Sequence, residues 1–121
     1  MVENYIFQHL STSATVTALV SSRIYPLKAP QNPTYPFIVY QRVSCSPEYG
    51  VDGFHNLSNV TIQFDCYATN HSGVRSLSSA LHTVMQSATF KNILENDMDF
   101  VEPDLDSGYR VVQDYSIWVN E

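Results

Sequence analysis

The stretch RIYPLKAPQNPTYPFIVYQR, Arg23–Arg42, decides how this chain is organised. It contains four prolines: Pro26, Pro30, Pro33 and Pro36. Proline fixes its own φ and pushes the residue before it toward extended geometry, so this stretch cannot continue a helix. We therefore expect a stiff proline arm, from Pro26 to Pro36, that delivers the chain into a strand at Phe37. Such an arm is unusual before the first strand of a small enzyme, and it suits a protein that reaches a neighbouring subunit.

Short helices precede the arm, and a strand follows it. Val2–Leu10 has apolar residues near helical spacing, and a second helical piece, which Ser13 can cap, runs through Leu19. Phe37–Val43 alternates and is rich in β-branched and aromatic residues, which predicts a strand. Cys45–Asn59 is interrupted by proline, glycine and polar residues, so we expect a long loop or a loose hairpin tip.

The cleanest strand is VTIQFDCYA, Val60–Ala68, in which apolar and polar residues alternate. Cys66 falls on its apolar face, where it is most simply a small core residue. The alternation describes a sheet with one buried face and one exposed or interface face.

A long helix and a last strand complete the pattern. Ser72–Ala88 carries an apolar stripe at helical spacing, with Asn70 or Ser72 as its cap. A helix tail and then a strand through Val101 follow, and Tyr109–Val119 alternates as a final strand. We therefore predict an α+β fold over residues 1–121 as one domain. One mostly antiparallel, twisted sheet carries the long helix on one face, beside a short N-terminal helix.

The composition is globular: 44% of the residues are hydrophobic, and the formal net charge is -6. The six basic residues are scattered, whereas binding of nucleic acid needs clustered Lys and Arg. No stretch approaches the roughly 18 apolar residues of a membrane helix. The N-terminus lacks the basic region of a secretory signal. We therefore expect a cytoplasmic chain without a membrane or sequence-specific nucleic-acid partner, in which Cys45 and Cys66 stay reduced.

Residues that could carry chemistry are sparse. Half of the twelve acids fall in one stretch: Glu95, Asp97, Asp99, Glu102, Asp104 and Asp106. We expect a solvated loop and strand edge there, because the spacing of a calcium loop is missing. No histidine has a partner at metal-ligand spacing, and a Cys45–His55 nucleophile pair would lack an activating positive charge. We predict a protein that is not an enzyme, with no catalytic residue, metal or cofactor.

Several motifs follow one another along the chain. They are A-L-V-x-x-R-I-Y-P at Ala18–Pro26, P-F-I-V-Y-Q at Pro36–Gln41, V-x-I-Q-F-D-C-Y-A at Val60–Ala68 and Y-R-V-V-Q-D-Y-S-I-W at Tyr109–Trp118. Their order and spacing resemble the small tail-completion proteins of long-tailed bacteriophages, which are related to tail terminators and head–tail joining proteins. The resemblance covers nearly the whole chain, while Ser11–Thr17 and Glu48–Asn56 look particular to this sequence.

The resemblance implies a structural function. Family members of this kind form a ring, commonly a hexamer, at the head-proximal end of the tail tube. The ring stops tube polymerisation and offers a docking surface to the head connector. The implied partners are further copies of the chain, the tail tube protein and the head connector or stopper. The implied state is a homo-oligomeric ring or a monomer that assembles on tail tubes, made in the host cytoplasm and kept in the virion tail.

The candidate interface residues form three groups. Tyr49, Val51, Phe54 and His55 give the long loop more apolar content than a free loop needs, so it either folds back on the core or contacts a partner. Tyr67, Tyr115 and Trp118 either point away from the helix-covered face, as interface aromatics, or are only partly exposed. Pro30 and Pro33 belong to the arm. Arg23 and Arg42, at its ends, are expected to anchor locally to a carboxylate or carbonyl rather than to DNA.

Two other classes stay open at this point. One is a non-viral adaptor that binds a partner along the sheet edge. The other, favoured less, is a small-ligand or enzymatic α+β domain, which would need a polar cluster in a pocket.

Overall fold

The computed structural model of the chain describes residues 2–28, 34–50, 53–88, 91–101 and 109–119. Its three helices are α1 (Val2–Ser11), α2 (Ala14–Val20) and α3 (His71–Gln86). Its five strands are β1 (Ile24–Pro26), β2 (Phe37–Gly50), β3 (Gly53–Ala68), β4 (Lys91–Val101) and β5 (Tyr109–Val119). No helix in these described ranges has both the length and the apolar character needed to cross a membrane.

The five strands form one sheet in the order β1-β2-β3-β5-β4. The short strand β1 runs parallel to β2, and the other neighbours are antiparallel. The predicted α+β class and the mostly antiparallel sheet are therefore confirmed. Strand β1 was not expected, because three residues that end in a proline carry no recognisable strand pattern and depend on pairing with β2.

Helix α3 packs on one face of the sheet through its apolar stripe. Val74, Leu77 and Leu81 are buried, and full burial of such a side chain contributes about 1.5–3 kcal/mol to folding. The predicted cap is confirmed, since Asn70 Oδ1 accepts a 2.6 Å hydrogen bond from the Gly73 amide. Helices α1 and α2 cover the rest of this face with one set of buried residues: Ile6, Leu10, Val16 and Val20.

The alternation predicted for Val60–Ala68 is confirmed. Val60, Ile62, Phe64 and Cys66 are fully buried beneath the helices, and the residues between them are half-buried on the other face. Desolvation raises the pKa of the Cys66 thiol, and the charges of Asp65 and Asp97 raise it further. Cys66 is a free, buried thiol of the core, as the sequence predicts.

Two local predictions are right only in part. Of the two alternatives for Cys45–Asn59, the hairpin is confirmed and the long loop is wrong, because β2 continues to Gly50 and β3 already begins at Gly53. Ser13 does stand at the N-cap of α2, but within the described chain its side chain makes no capping hydrogen bond. Its carbonyl oxygen instead accepts hydrogen bonds from the amide and the hydroxyl of Thr17, at 2.9 and 2.8 Å.

Candidate functional site

Strands β2 and β3 form a hairpin that is longer than the rest of the sheet. They pair from Phe37 and Tyr67 to Gly50 and Gly53, whereas β5 pairs with β3 only from Ala68 back to Ser58. Within the described chain, the end of the hairpin is therefore a two-stranded ribbon. A two-stranded ribbon alone is only marginally stable in water, so a partner surface would stabilise it.

Most of the residues predicted for the long loop lie on this ribbon. Tyr49 pairs with Phe54 across the two strands, and His55 follows on β3. The structure describes only the backbone of these three residues. Val51 lies outside the described residues, as do Pro30 and Pro33 of the proline arm.

The sheet face opposite the helices, called the open face, carries an aromatic cluster. The rings of Phe37 and Tyr67 stack with centroids 4.6 Å apart, and Tyr35 and Tyr25 lie 5.1 and 6.1 Å from Phe37. The core cluster of the described residues joins the helices to the other face and does not include Phe37, whose ring is buried here, while the three tyrosines around it are half-buried. Aromatic side chains are enriched in protein interfaces, so this cluster is a candidate contact surface.

Trp118 lies half-buried at the far side of the open face, near the edge strand β4. The ammonium group of Lys91 lies 5.6 Å from the centroid of its ring, which is within the range of a cation–π contact. Tyr67 and Trp118 thus lie on the open face, and their part in an interface stays a prediction.

Tyr115 does not belong to this face, and the prediction that it points outward or is partly exposed is wrong. It is fully buried beneath α3, where its ring meets Phe64 edge to face at 5.5 Å. Its hydroxyl donates to Gln113 Oε1 at 2.9 Å and lies 3.2 Å from His82 Nδ1. These hydrogen-bond partners compensate the Tyr115 hydroxyl for its loss of water, so the side chain can be buried. Desolvation raises the pKa of its phenol, assisted by the charges of Cys66 and Asp97.

The two arginines at the ends of the stretch Arg23–Arg42 are local anchors, as the sequence predicts. Arg23 Nε donates a 2.9 Å hydrogen bond to the carbonyl oxygen of Pro36. Arg42 Nη2 donates to Glu3 Oε1 at 2.6 Å, which ties β2 to helix α1. Partial burial acts to raise the pKa of Glu3, but the hydrogen bond and charge of Arg42 outweigh it and hold that pKa below its ordinary value of 4.5.

One arginine of the long helix binds two carboxylates of the acidic strand β4. Arg75 of α3 donates to Asp97 and Asp99 at 2.9 and 3.1 Å. The hydrogen bond to Asp97, with the charges of both carboxylates, outweighs partial desolvation and raises the pKa of Arg75. The sequence predicted a solvated strand edge here, and the Asp97 and Asp99 side chains are partly exposed. It did not predict that Arg75 organises them, because the two segments are more than twenty residues apart.

The described residues offer no arrangement suited to metal chemistry, since no three His, Cys, Asp or Glu side chains converge there. What the structure brings together is a set of contact features: an aromatic open face, an overlong hairpin and an acidic edge strand. These features suit binding to other proteins.

Comparison of the chain with known proteins identifies its family. A family model described as "Tail completion protein gp17" matches residues 4–120. The chain belongs to this family. It is a structural protein of the bacteriophage tail, which confirms the resemblance seen in the sequence. No curated protein sequence matches the chain.

Two solved structures share the fold of this tail completion protein. One is a chain of the virion of a native gene transfer agent particle, with a TM-score of 0.74 and 11% sequence identity, over 96% of this chain and 92% of that one. The other is the bacteriophage SPP1 gp17 protein, with a TM-score of 0.60 and 12% identity, over 96% of this chain and 87% of that one.

Proposed function

We propose that this tail completion protein assembles as a ring, expected to be a hexamer, on the head-proximal end of the tail tube. The ring ends tube polymerisation and joins the tail to the head connector. The observation that carries the proposal is the family match over residues 4–120. Assembly takes place in the host cytoplasm, and the ring stays in the virion tail.

The shape of the sheet supports ring formation. A closed ring of identical subunits needs two unlike surfaces on each copy, because each contact joins one surface to the other. The two outer strands of this sheet are unlike: β1 is short and ends in proline, and β4 is long and acidic. The proline arm leaves from the β1 side, and its stiffness would lower the entropy cost of contact with a neighbour.

The overlong β2–β3 hairpin is our candidate for contact with the tail tube or the connector. Its tip pairs Tyr49 with Phe54 beyond the part of the sheet that β5 supports. A ribbon of this kind gains stability when it packs on a partner.

The charge of the protein suits a ring through which DNA passes. A formal net charge of -6 with only six basic residues would repel the genome and keep it from adhering. A ring whose lumen is lined by Arg and Lys would contradict this part of the proposal.

Deletion of the gene in the phage that carries it tests the proposal. We expect tails of irregular length and heads that stay free, and a plasmid copy of the gene should restore joined particles. Normal joined particles in the deletion strain would overturn the proposed function.

A further inference from the structure

Neighbouring copies of the chain contact each other in the proposed ring, and the contact described next rests on that ring. We propose that the end of strand β1 in one copy, at Leu27 and Lys28, docks on the outer edge of strand β4 in the next copy, with Lys28 beside Glu95. The partner is therefore a second copy of this chain.

Among the described strands, β4 is an edge strand with a neighbour on one side. It is the last strand in the sheet order, and ten of its eleven residues pair with β5, the exception being Glu95. Ile93 and Met98 are 50% and 42% exposed on it. A long edge strand with exposed apolar side chains invites pairing with another chain, and charged side chains restrict which chain can pair.

The opposite edge of the sheet carries a strained, exposed residue. Leu27 directly follows β1, is 72% exposed and has a φ of 69°. The left-handed region is unfavourable for a side chain such as leucine, and strain of this kind clusters at functional positions. The Leu27 amide still donates to the Tyr40 carbonyl oxygen at 2.9 Å, so the pairing with β2 continues to this residue.

The two edges have complementary charge. Strand β4 carries Glu95, Asp97 and Asp99 against the single Lys91. Asp97 and Asp99 share Arg75, whereas Glu95 is exposed at a register shift of the strand. Lys28 is exposed beside Leu27, in the stretch Arg23–Arg42 that holds three of the six basic residues of the chain. Complementary charges of this kind fix the register of an interface and exclude wrong partners.

The register of the sheet brings these residues to the same level. One row across the sheet runs through Tyr25, Val39, Asp65, Val112 and Met98, and the next runs from Pro26 to Asp97. The paired part of β1 ends there, because the chain turns at Leu27 and the Lys28 amide donates to the Pro26 carbonyl oxygen at 2.8 Å. Lys28 and Glu95 each lie two residues beyond this last shared row, on the same side of it.

We place the ring axis along the strands as part of this proposal. A rotation about such an axis has no rise and keeps strand directions. The end of β1 in one copy would then meet its own level on β4 of the next copy, in antiparallel orientation. That places Lys28 opposite Glu95, and Leu27 beside the exposed apolar residues of β4.

Crosslinking between two introduced cysteines tests this contact on tail tubes. The variant is Lys28→Cys with Glu95→Cys in a Cys45→Ser background, treated with a short bismaleimide. We expect a ladder of covalent oligomers that reaches the size of the closed ring. Each variant with only one of the two introduced cysteines is the matched control and should stay monomeric after denaturation, since the remaining Cys66 is buried.

Charge reversal provides a second, independent test of the contact. Lys28→Glu or Glu95→Lys alone should lower occupancy of tube ends about tenfold. The two reversals together should restore it, and Ser79→Lys on the exposed surface of α3 should have no effect. Rings that form on tubes but give no ladder, and that tolerate each reversal, would overturn the contact and leave the ring intact. If the parent protein forms no ring on tubes, the proposed function fails and the contact fails with it.

Discussion

The side-chain amide of Gln113 donates a 3.2 Å hydrogen bond to Asp97 Oδ2, which ties the buried middle of β5 to the exposed edge strand β4. The same amide nitrogen donates to the carbonyl oxygen of Ser78 on α3, and Gln113 Oε1 accepts from Tyr115. Asp97 in turn binds Arg75. Gln113 therefore links the edge strand to the long helix from inside the core, together with Arg75 and with Asn92, whose Nδ2 donates to the Met85 carbonyl oxygen at 2.9 Å.

The first prediction concerns this glutamine. Gln113→Leu removes the acceptor of the Tyr115 hydroxyl and a donor to the Ser78 carbonyl oxygen in a buried site, so we expect a loss of about 1–3 kcal/mol in the free energy of unfolding. Urea denaturation measures the loss. Gln63→Leu on the half-buried open face is the matched control and should cost less, because water can replace its bond to Asp65. Equal losses in the two variants would contradict the role of Gln113.

The elements that could be predicted from the sequence are those in which the pattern of apolar and polar residues indicates which side chains are buried. The stripe of α3 and the alternation of Val60–Ala68 each follow from one buried face, whereas Tyr109–Val119 is rich in β-branched and aromatic residues and is buried on both faces at Val112 and Ser116. The length of the hairpin strands was not predicted, and a loop stayed as an alternative, because Pro47, Gly50 and Gly53 are strong loop signals, although β2 continues through Pro47 to Gly50.

The candidate site was harder to predict than the fold because it depends on distant partners. Tyr115 was misplaced because its burial depends on Gln113 and His82, which accommodate its hydroxyl in the core. Arg75 was missed because its bonds to Asp97 and Asp99 require β4 to pack beside α3. Acidic residues are depleted in strands, so the charges of β4 also obscured where it begins and ends.

The second prediction concerns Glu3 and its ion pair with Arg42. The pKa of Glu3 is lower in the folded protein than its ordinary value of 4.5, so the ionised form stabilises the fold. This contribution is complete above the ordinary pKa and is lost as the pH falls through the lower folded value. Because the pair is partly exposed, we expect Glu3→Gln to cost about 0.2–1 kcal/mol at neutral pH.

Urea denaturation of the parent and Glu3→Gln at neutral and strongly acidic pH checks this prediction. The difference between the two proteins should shrink as the solution becomes acidic. A difference that stays constant or grows would contradict the role assigned to this ion pair.

The third prediction concerns the tip of the β2–β3 hairpin. Tyr49→Ser with Phe54→Ser should leave the melting temperature nearly unchanged, because this part of the hairpin lies beyond the pairing with β5. Binding to tail tubes or to the connector should fall at least tenfold, since interface aromatics carry a large share of binding energy. A pull-down with each partner measures the change.

Tyr5→Ser is the control for the hairpin, because Tyr5 is 63% exposed on α1, away from the surfaces proposed here. It should bind both partners like the parent. If the hairpin variant also binds both partners like the parent, the hairpin is not a contact surface.

The fourth prediction concerns Pro30 and Pro33 of the proline arm. Replacement of both by glycine should leave the monomer folded and weaken ring assembly or tail joining, because a flexible arm loses more entropy when it is ordered. Circular dichroism checks the fold, and the occupancy of tube ends checks assembly. Assembly equal to that of the parent would mean that the arm is only a connector.

The most direct test of the central claim is a count of copies at the tube end. Tail tubes assembled without this protein are mixed with it, and the complex is imaged by electron cryomicroscopy. The account predicts a closed ring, expected to contain six copies, at the head-proximal end and nowhere else, with no further tube growth from that end. A protein that stays off the tube, or that binds along its whole length without ending growth, would contradict the account.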